Sequence, residues 1–307
     1  DLVVKRHMDA EAGGTERSAA REGRQGRGEA EFTTAGSKRA RGDDQVGEAV
    51  GWGATQHIST LIFDIDDTLY DVGNGFTGHR NGAAVASFMV GKLLFKSEDA
   101  ALKVRDEYFA KYHSTVKALT VAEAEGKLPA GAHFEAQDLA DWWATKLDFA
   151  RFLSPDPVLI EALSASRLQL VAFTNAPRKY ALRVLDALGL RRFFVDSHIF
   201  AVDDVMPTCK PEPAAFAKVL SAIDAEAAAC VMIEDSMKNI RAAKALGMRT
   251  LLVAGLGVGD AAAGEATKPG DLPQADDPAV DAVVRSCSEL STALPGLWEE
   301  PAVFRTA

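Results

Sequence analysis

Three acids, Asp64, Asp66 and Asp67, stand at the end of an apolar run, Ile58 to Ile65 (ISTLIFDI), within FDIDDTLY, Phe63 to Tyr70. Side chains two residues apart on extended backbone face the same way, so Asp64 and Asp66 address one point. Carboxylates crowded in this way repel unless a cation or a shared proton relieves them. Glu234 and Asp235 end a second apolar run in MIEDSMKNI, Met232 to Ile240, just before a helix that Ser236 could cap and Gly247 could end. Two acidic strand ends side by side predict an oxygen-lined pocket suited to magnesium, a hard ion that prefers carboxylates and substrate phosphate. Thr174 and Asn175 finish a third run, Leu168 to Phe173, with hydroxyl and amide donors for phosphoryl oxygens. Lys210 leads into Pro211-Glu212-Pro213 and supplies a point charge that can neutralise phosphate and hold a nucleophile. Singly, these residues read as a solvated turn, a helix cap and a surface lysine; together and in this order they predict chemistry on phosphate.

The elements that must position them follow from the hydrophobic pattern. Besides the runs named above, Cys230 to Ile233, Thr250 to Val253 and Ala279 to Val284 have strand length, and buried parallel strands read as continuous apolar runs. Helical patterns separate them. Leu182, Leu185 and Leu188 form one stripe closed by Gly189, and Phe216, Val219, Leu220 and Ile223 form another behind Pro211 and Pro213. The alternation predicts an α/β fold with a doubly wound parallel sheet. Roughly 100 residues separate the first two strands, where a crossover needs only about a dozen, so a helical segment is inserted at 71–156. Val85, Phe88, Met89 and Leu93 mark its first helix. Leu102, Phe109, Tyr112, Val116 and Leu119 mark a second that Ser97 could cap, and a third lies around Leu139, Trp142, Trp143 and Leu147. These stripes predict the core of a small helical domain. The core domain is then 57–70 with 157–300, flanked by a disordered tail at 1–56 and a C-terminal tail at 301–307.

Residues 1–56 hold 10 of the 25 glycines and only Phe32 and Trp52 as aromatics, too little apolar surface to offset ordering entropy. Arg17, Arg21, Arg24 and Arg27 and the segment SKRAR at 37–41 read as solvated charge rather than as a targeting address. Gly255 to Pro278 reads as an irregular loop. With 34 basic and 44 acidic residues, a net charge of -10 disfavours nucleic acid and anionic lipid as partners. No apolar run reaches the length of a membrane span. Cys209, Cys230 and Cys287 form no CxxC pair, which speaks against a disulfide framework or a cysteine zinc site and for a reducing compartment. The expected location is the cytoplasm, with the nucleus as alternative.

Taken together, DxDxT (Asp64, Asp66, Thr68), Thr174-Asn175, Lys210-Pro211 and Glu234-Asp235 resemble the haloacid dehalogenase superfamily of phosphohydrolases, whose core is a Rossmann-like sheet and some of whose members carry a helical cap. The resemblance implies that Asp64 attacks phosphorus and becomes a phosphoaspartyl intermediate, while Asp66 protonates the leaving alkoxide and later activates water. It implies magnesium on the Asp64 carboxylate, the Asp66 main-chain carbonyl and Asp235, with Glu234 beside it or acting through water. Thr174, Asn175 and Lys210 would hold the phosphoryl group. Asp66 must be protonated in the first step, which a neighbouring carboxylate favours by raising its pKa. Asp67 is expected to be a structural or solvent-facing turn residue, with Thr68 steadying the two catalytic acids. A cap over the strand ends would exclude water and set specificity.

Within the superfamily, KYHSTVKAL, SPDPVLIEAL, FTNAPRKYALRVLDALGL, CKPEPAAF and EDSMKNIRAAKALGM are similar to pyrimidine 5'-nucleotidases of the yeast and plant type, which implies UMP or CMP as substrate. His113 stands where that group tends to have glycine, and Asp71 where proline is frequent. Tyr112, Ser114 and Thr115 are the expected cap contacts to substrate, the plain reading of Tyr112 being helix core. The phosphate-reading core is equally compatible with lysophosphatidate, phosphoglycolate or a phosphosugar, or with a phosphomutase. Asp66 and the Glu234-Asp235 pair argue against dehalogenation, and intact catalytic residues against an idle regulatory protein.

Overall fold

The computed structural model describes residues 57–255 and 273–298, all within one compact unit, Gln45–Ala307. The tails at 1–56 and 301–307, with the arginine stripe and SKRAR, and most of the Gly255 to Pro278 segment lie outside the described residues. Among the described residues no helix is long and apolar enough to cross a membrane.

Among the described residues six parallel strands form one sheet: β1 Thr60–Phe63, β2 Gln169–Phe173, β3 Ile199–Phe200, β4 Cys230–Glu234, β5 Arg249–Val253 and β6 Ala282–Val284, in the order β3-β2-β1-β4-β5-β6. β1 is central, with Thr60 opposite both Gln169 and Cys230. The chain builds outward from β1 through β2 to β3, then crosses back to place β4 on the other side of β1. Such a switch point opens a crevice at the carboxyl ends of the strands, where ligands bind in open α/β sheets.

The TLIF run of β1 is buried throughout because both faces of the sheet are covered. Leu61 and Phe63 join one cluster with Tyr180, Val184 and Leu185, while Ile62 points the other way into a cluster with Phe216, Val219 and Ala243, the period-two alternation of a strand.

Twelve α-helical segments accompany the sheet among the described residues. The insertion carries α1 Phe76–His79, α2 Val85–Lys92, α3 Glu98–Tyr112, α4 Thr115–Ala124, α5 Ala136–Lys146 and α6 Phe149–Phe152. The core carries α7 Pro157–Ala165, α8 Arg178–Ala187, α9 Val202–Val205, α10 Pro213–Ala222, α11 Met237–Ala245 and α12 Leu290–Ala293. Residues Arg80–Ala84 between α1 and α2 form a π-helical turn, in which the Val85 amide donates to the Arg80 carbonyl. The apolar residues Phe88, Met89, Leu119, Leu139 and Trp143 join the same cluster as Leu61 and Phe63. The insertion therefore shares its main hydrophobic core with the sheet. A small satellite cluster of Tyr108, Ala118 and Ala122 holds α3 to α4.

Four local expectations change. The stripe from Leu102 to Leu119 is two helices, because His113 takes a left-handed conformation at φ 51 and Ser114 restarts the helix. Ser97 does cap α3, accepting from the Ala100 amide at 3.2 Å. Ser236 occupies the N-cap position of α11 without a side-chain cap bond; its amide instead donates to Glu234 Oε1 at 3.2 Å. β3, with only two residues, is too short to leave an apolar run in the sequence, and the last strand begins at Ala282 rather than Ala279.

Candidate active site

Asp64 follows β1 directly, its amide donating to the Ile233 carbonyl of β4 at 2.9 Å. Thr174 follows β2, and Glu234 ends β4 with Asp235 next. Three strand tips thus converge on one cavity of about 350 Å³, lined on this side by Asp64, Asp66, Thr174, Lys210 and Asp235.

Lys210 is the centre of the arrangement. Its ammonium donates to Asp64 Oδ1 at 2.6 Å, to Glu234 Oε2 at 2.8 Å and to the Phe173 carbonyl at 2.8 Å, which uses all three N–H donors of a side chain only 1% exposed. Burial alone would lower its pKa, but the charges of Asp64 and Glu234 outweigh that and raise it, so Lys210 is a fixed cation. Glu234 is fully engaged, accepting also from Asn239 Nδ2 at 3.1 Å.

Asp64, Glu234 and Asp235 each offer an oxygen within 4.8 Å of the others. Burial first, then the Glu234 charge, push Asp64 up to about 8 against the opposing pull of Lys210. Burial and the charges of Glu234, Asp64 and Asp67 lift Asp235 well above the carboxylate range. An all-oxygen donor set strained by mutual repulsion fits a hard divalent cation, which relieves what one lysine does not.

Asp66 departs from expectation. Its carboxylate is not steadied by Thr68 but clamped by three other side chains. Tyr180 and Tyr70 hydroxyls donate to Oδ1 at 2.6 and 2.7 Å, and Arg80 Nη1 pairs with Oδ2 at 2.6 Å. Burial alone would raise the Asp66 pKa, yet the Arg80 charge and the two hydroxyls hold it below the usual carboxylate range. The expected upward shift is thereby reversed, because a cation rather than a second carboxylate is its nearest charge. Thr68 Oγ1 instead bridges Asp64 Oδ2 at 3.4 Å and Asp235 Oδ1 at 3.2 Å. Asp67 sits in the turn with φ 58.

Asn175 also has a different part. Its Oδ1 accepts from the Lys210 amide at 2.9 Å, and its Nδ2 donates to the Lys210 carbonyl at 2.8 Å and the His113 carbonyl at 3.2 Å. Both amide hydrogens are spent on backbone, so the side chain braces the lysine loop rather than reaching a phosphoryl oxygen. Thr174 Oγ1 accepts from the Ala176 amide at 3.0 Å, which leaves its O–H as a donor at the cavity wall.

Of the three expected cap contacts, Ser114 and Thr115 line the cavity, and Ser114 Oγ donates to the Asn175 carbonyl at 2.9 Å. Tyr112 is not among the lining residues; it packs against the satellite cluster with its ring beneath Lys117. The sequence reading missed Arg80, Tyr70, Tyr180 and Asn239. Arg80 lies in FTGHRNGAA among Thr77, His79 and Asn81, so no local pattern singled it out.

The haloacid dehalogenase-like hydrolase family model matches residues 58–247, and a second model of HAD-hydrolase-like proteins matches 208–288. The chain belongs to the haloacid dehalogenase-like hydrolases. A phosphoglycolate phosphatase of Rhodospirillum rubrum is 31% identical over 212 residues, covering 63% of this chain and 78% of that protein. One of Chromobacterium violaceum is 26% identical over 207 residues, covering 67% and 89%. Among solved structures, CbbY from Rhodobacter sphaeroides in complex with phosphate superposes with a TM-score of 0.54 at 18% identity, over 78% of this chain and 99% of that one, which establishes the shared fold. The relatives named here are phosphoglycolate phosphatases, not the pyrimidine nucleotidases that the sequence texture implied.

Proposed function

We propose that this protein is a magnesium-dependent phosphomonoester hydrolase of small metabolites that works through an Asp64 phosphoester, with 2-phosphoglycolate as the leading substrate. The observation that carries this is the buried Lys210 ammonium, bonded to both Asp64 and Glu234 beneath an acid pair that needs a cation. Magnesium would be held by the Asp64 carboxylate, the Asp66 carbonyl and Asp235, with Glu234 alongside, and would supply neutralisation of phosphate charge.

Asp64 Oδ attacks phosphorus, held in line by Lys210 and Thr68, and the bond to the ester oxygen breaks with its electrons leaving on the alkoxide. Thr174 donates to a phosphoryl oxygen. The alkoxide takes a proton from Asp66, which must arrive protonated and released from Arg80. Asp66 as carboxylate, the form that Arg80 and the tyrosines favour, then takes a proton from water as that water attacks the phosphoester and frees Asp64 and inorganic phosphate.

The relatives favour phosphoglycolate. The nucleotidase-like segments support a second reading, UMP and CMP in preference to AMP and GMP. A phosphate-release panel of 2-phosphoglycolate, UMP, CMP, AMP, sugar phosphates and lysophosphatidate separates them. Asp64→Asn should abolish release on every substrate and leave the circular dichroism spectrum unchanged; full activity of that variant, or of the unaltered protein in excess chelator, refutes the mechanism.

A further inference from the structure

The cavity has a second wall, away from the phosphate-reading residues, formed by Arg105 of α3, His113 at its end and Lys238 of α11. Arg105 is only 4% exposed, so its charge is held in the wall rather than in solvent. Its Nη1 donates to Asp106 Oδ1 at 2.9 Å, a carboxylate 55% exposed at the rim, and its guanidinium lies 3.9 Å from the Phe109 ring centroid. Lys238 Nζ and His113 Nε2 are 2.6 Å apart, which joins the two side chains in the cavity wall. Phosphoryl transfer already has its cation in Lys210, so these two charges serve no step of the chemistry above. Held in a buried wall, the guanidinium acts on the cavity with less screening than a charge in solvent.

The same wall disfavours a nucleobase. The carbocyclic aromatic residues lining the cavity among the described residues are Phe109 and Trp143. Trp143 is 2% exposed with Arg80 at 5.3 Å from its ring, and Phe109 carries Arg105 on its ring. A base would find stacking surface already taken by guanidinium groups, whereas a second anion would find two cations.

We propose that Arg105, His113 and Lys238 form a subsite for a second anionic group on the leaving side of the substrate, a carboxylate or a further phosphate. Good substrates are then phosphomonoesters that carry a negative charge beyond the one being hydrolysed. This rests on the phosphatase reading of the site.

Binding to full-length protein carrying Asp64→Asn, measured by calorimetry with magnesium, tests the subsite without turnover. The ligands are ethyl phosphate, 2-phosphoglycolate and ethylene glycol bisphosphate. At least one of the two doubly anionic ligands should bind ten times or more tighter than ethyl phosphate, and the tighter of them identifies carboxylate or phosphate as the group recognised. Adding Lys238→Met or Arg105→Gln should shrink that ratio several-fold, and Arg105→Lys, which keeps the charge, should retain more of it than Arg105→Gln. Equal affinity for all three ligands, or a preference that neither variant moves, overturns the subsite. Failure of the phosphatase reading is a separate result, the absence of phosphate release from any ester by the unaltered protein.

Discussion

Asp66 shows what one neighbour decides. With Arg80 at 2.6 Å and two tyrosine hydroxyls on its other oxygen, it rests as a carboxylate, the state of a base. Because its folded pKa is depressed, it contributes stability above the ordinary carboxylate pKa and loses that contribution as pH falls through the folded value. Arg80→Met strands a buried carboxylate, raises its pKa and costs about 3–5 kcal/mol, readable in chemical denaturation. The acidic limb of kcat should move to higher pH by a unit or more; an unmoved limb in a folded variant excludes Asp66 as the base. Asp64, Asp66 and Asp235 were legible because they close apolar runs, and Lys210 because it leads into Pro211, signals that local sequence carries. The clamp was not, since Tyr70, Arg80 and Tyr180 are brought together by folding from separate elements, and the helical pattern around Tyr180 reads simply as an apolar face.

Among the elements, the loop between α3 and α4 is tied to the core through Asn175, which holds both the Lys210 loop and the His113 carbonyl. Asn175→Ala should lower kcat by about 10–100-fold, the usual cost of losing an orienting partner, with thermal stability little altered; a fall in KM alone would contradict the bracing role. The π-helical turn at Arg80–Ala84 is a second positioning device, of a kind often found at functional sites. Deleting Ala83 would let the turn rewind as ordinary helix. With α2 anchored by Phe88 and Met89, Arg80 would rotate by about 100° away from Asp66. Helix content by circular dichroism should persist while activity drops as far as in Arg80→Met. The sheet order was legible as a doubly wound pattern, but the break at His113 was not, because a histidine in left-handed backbone gives no sign in a stripe whose apolar spacing continues across it.

At the scale of the whole molecule, the acid cluster links metal, proton and stability. A carboxyl raised to about 8, as in Asp64, makes the fold bind a proton that the unfolded chain releases near 4. Without metal the protein should therefore lose stability as pH rises from about 4 to 8. Magnesium displaces that proton, so its affinity should climb by up to about tenfold per pH unit over the same window and level off above it. Thermal shifts with and without magnesium at pH 6, 7 and 8 check this; a gain that shrinks with rising pH would show that the cation binds elsewhere. The placement of β1 has a further consequence for biosynthesis. Thr60 finds its first sheet neighbour only at Gln169, so during translation TLIF leaves the ribosome long before a strand can pair with it. An unpaired apolar strand is an aggregation hazard, and the charges that follow it directly, Asp64, Asp66 and Asp67, act as gatekeepers of the kind that interrupt such segments. The residues assigned to chemistry would thus protect the nascent chain before there is any site for them to serve.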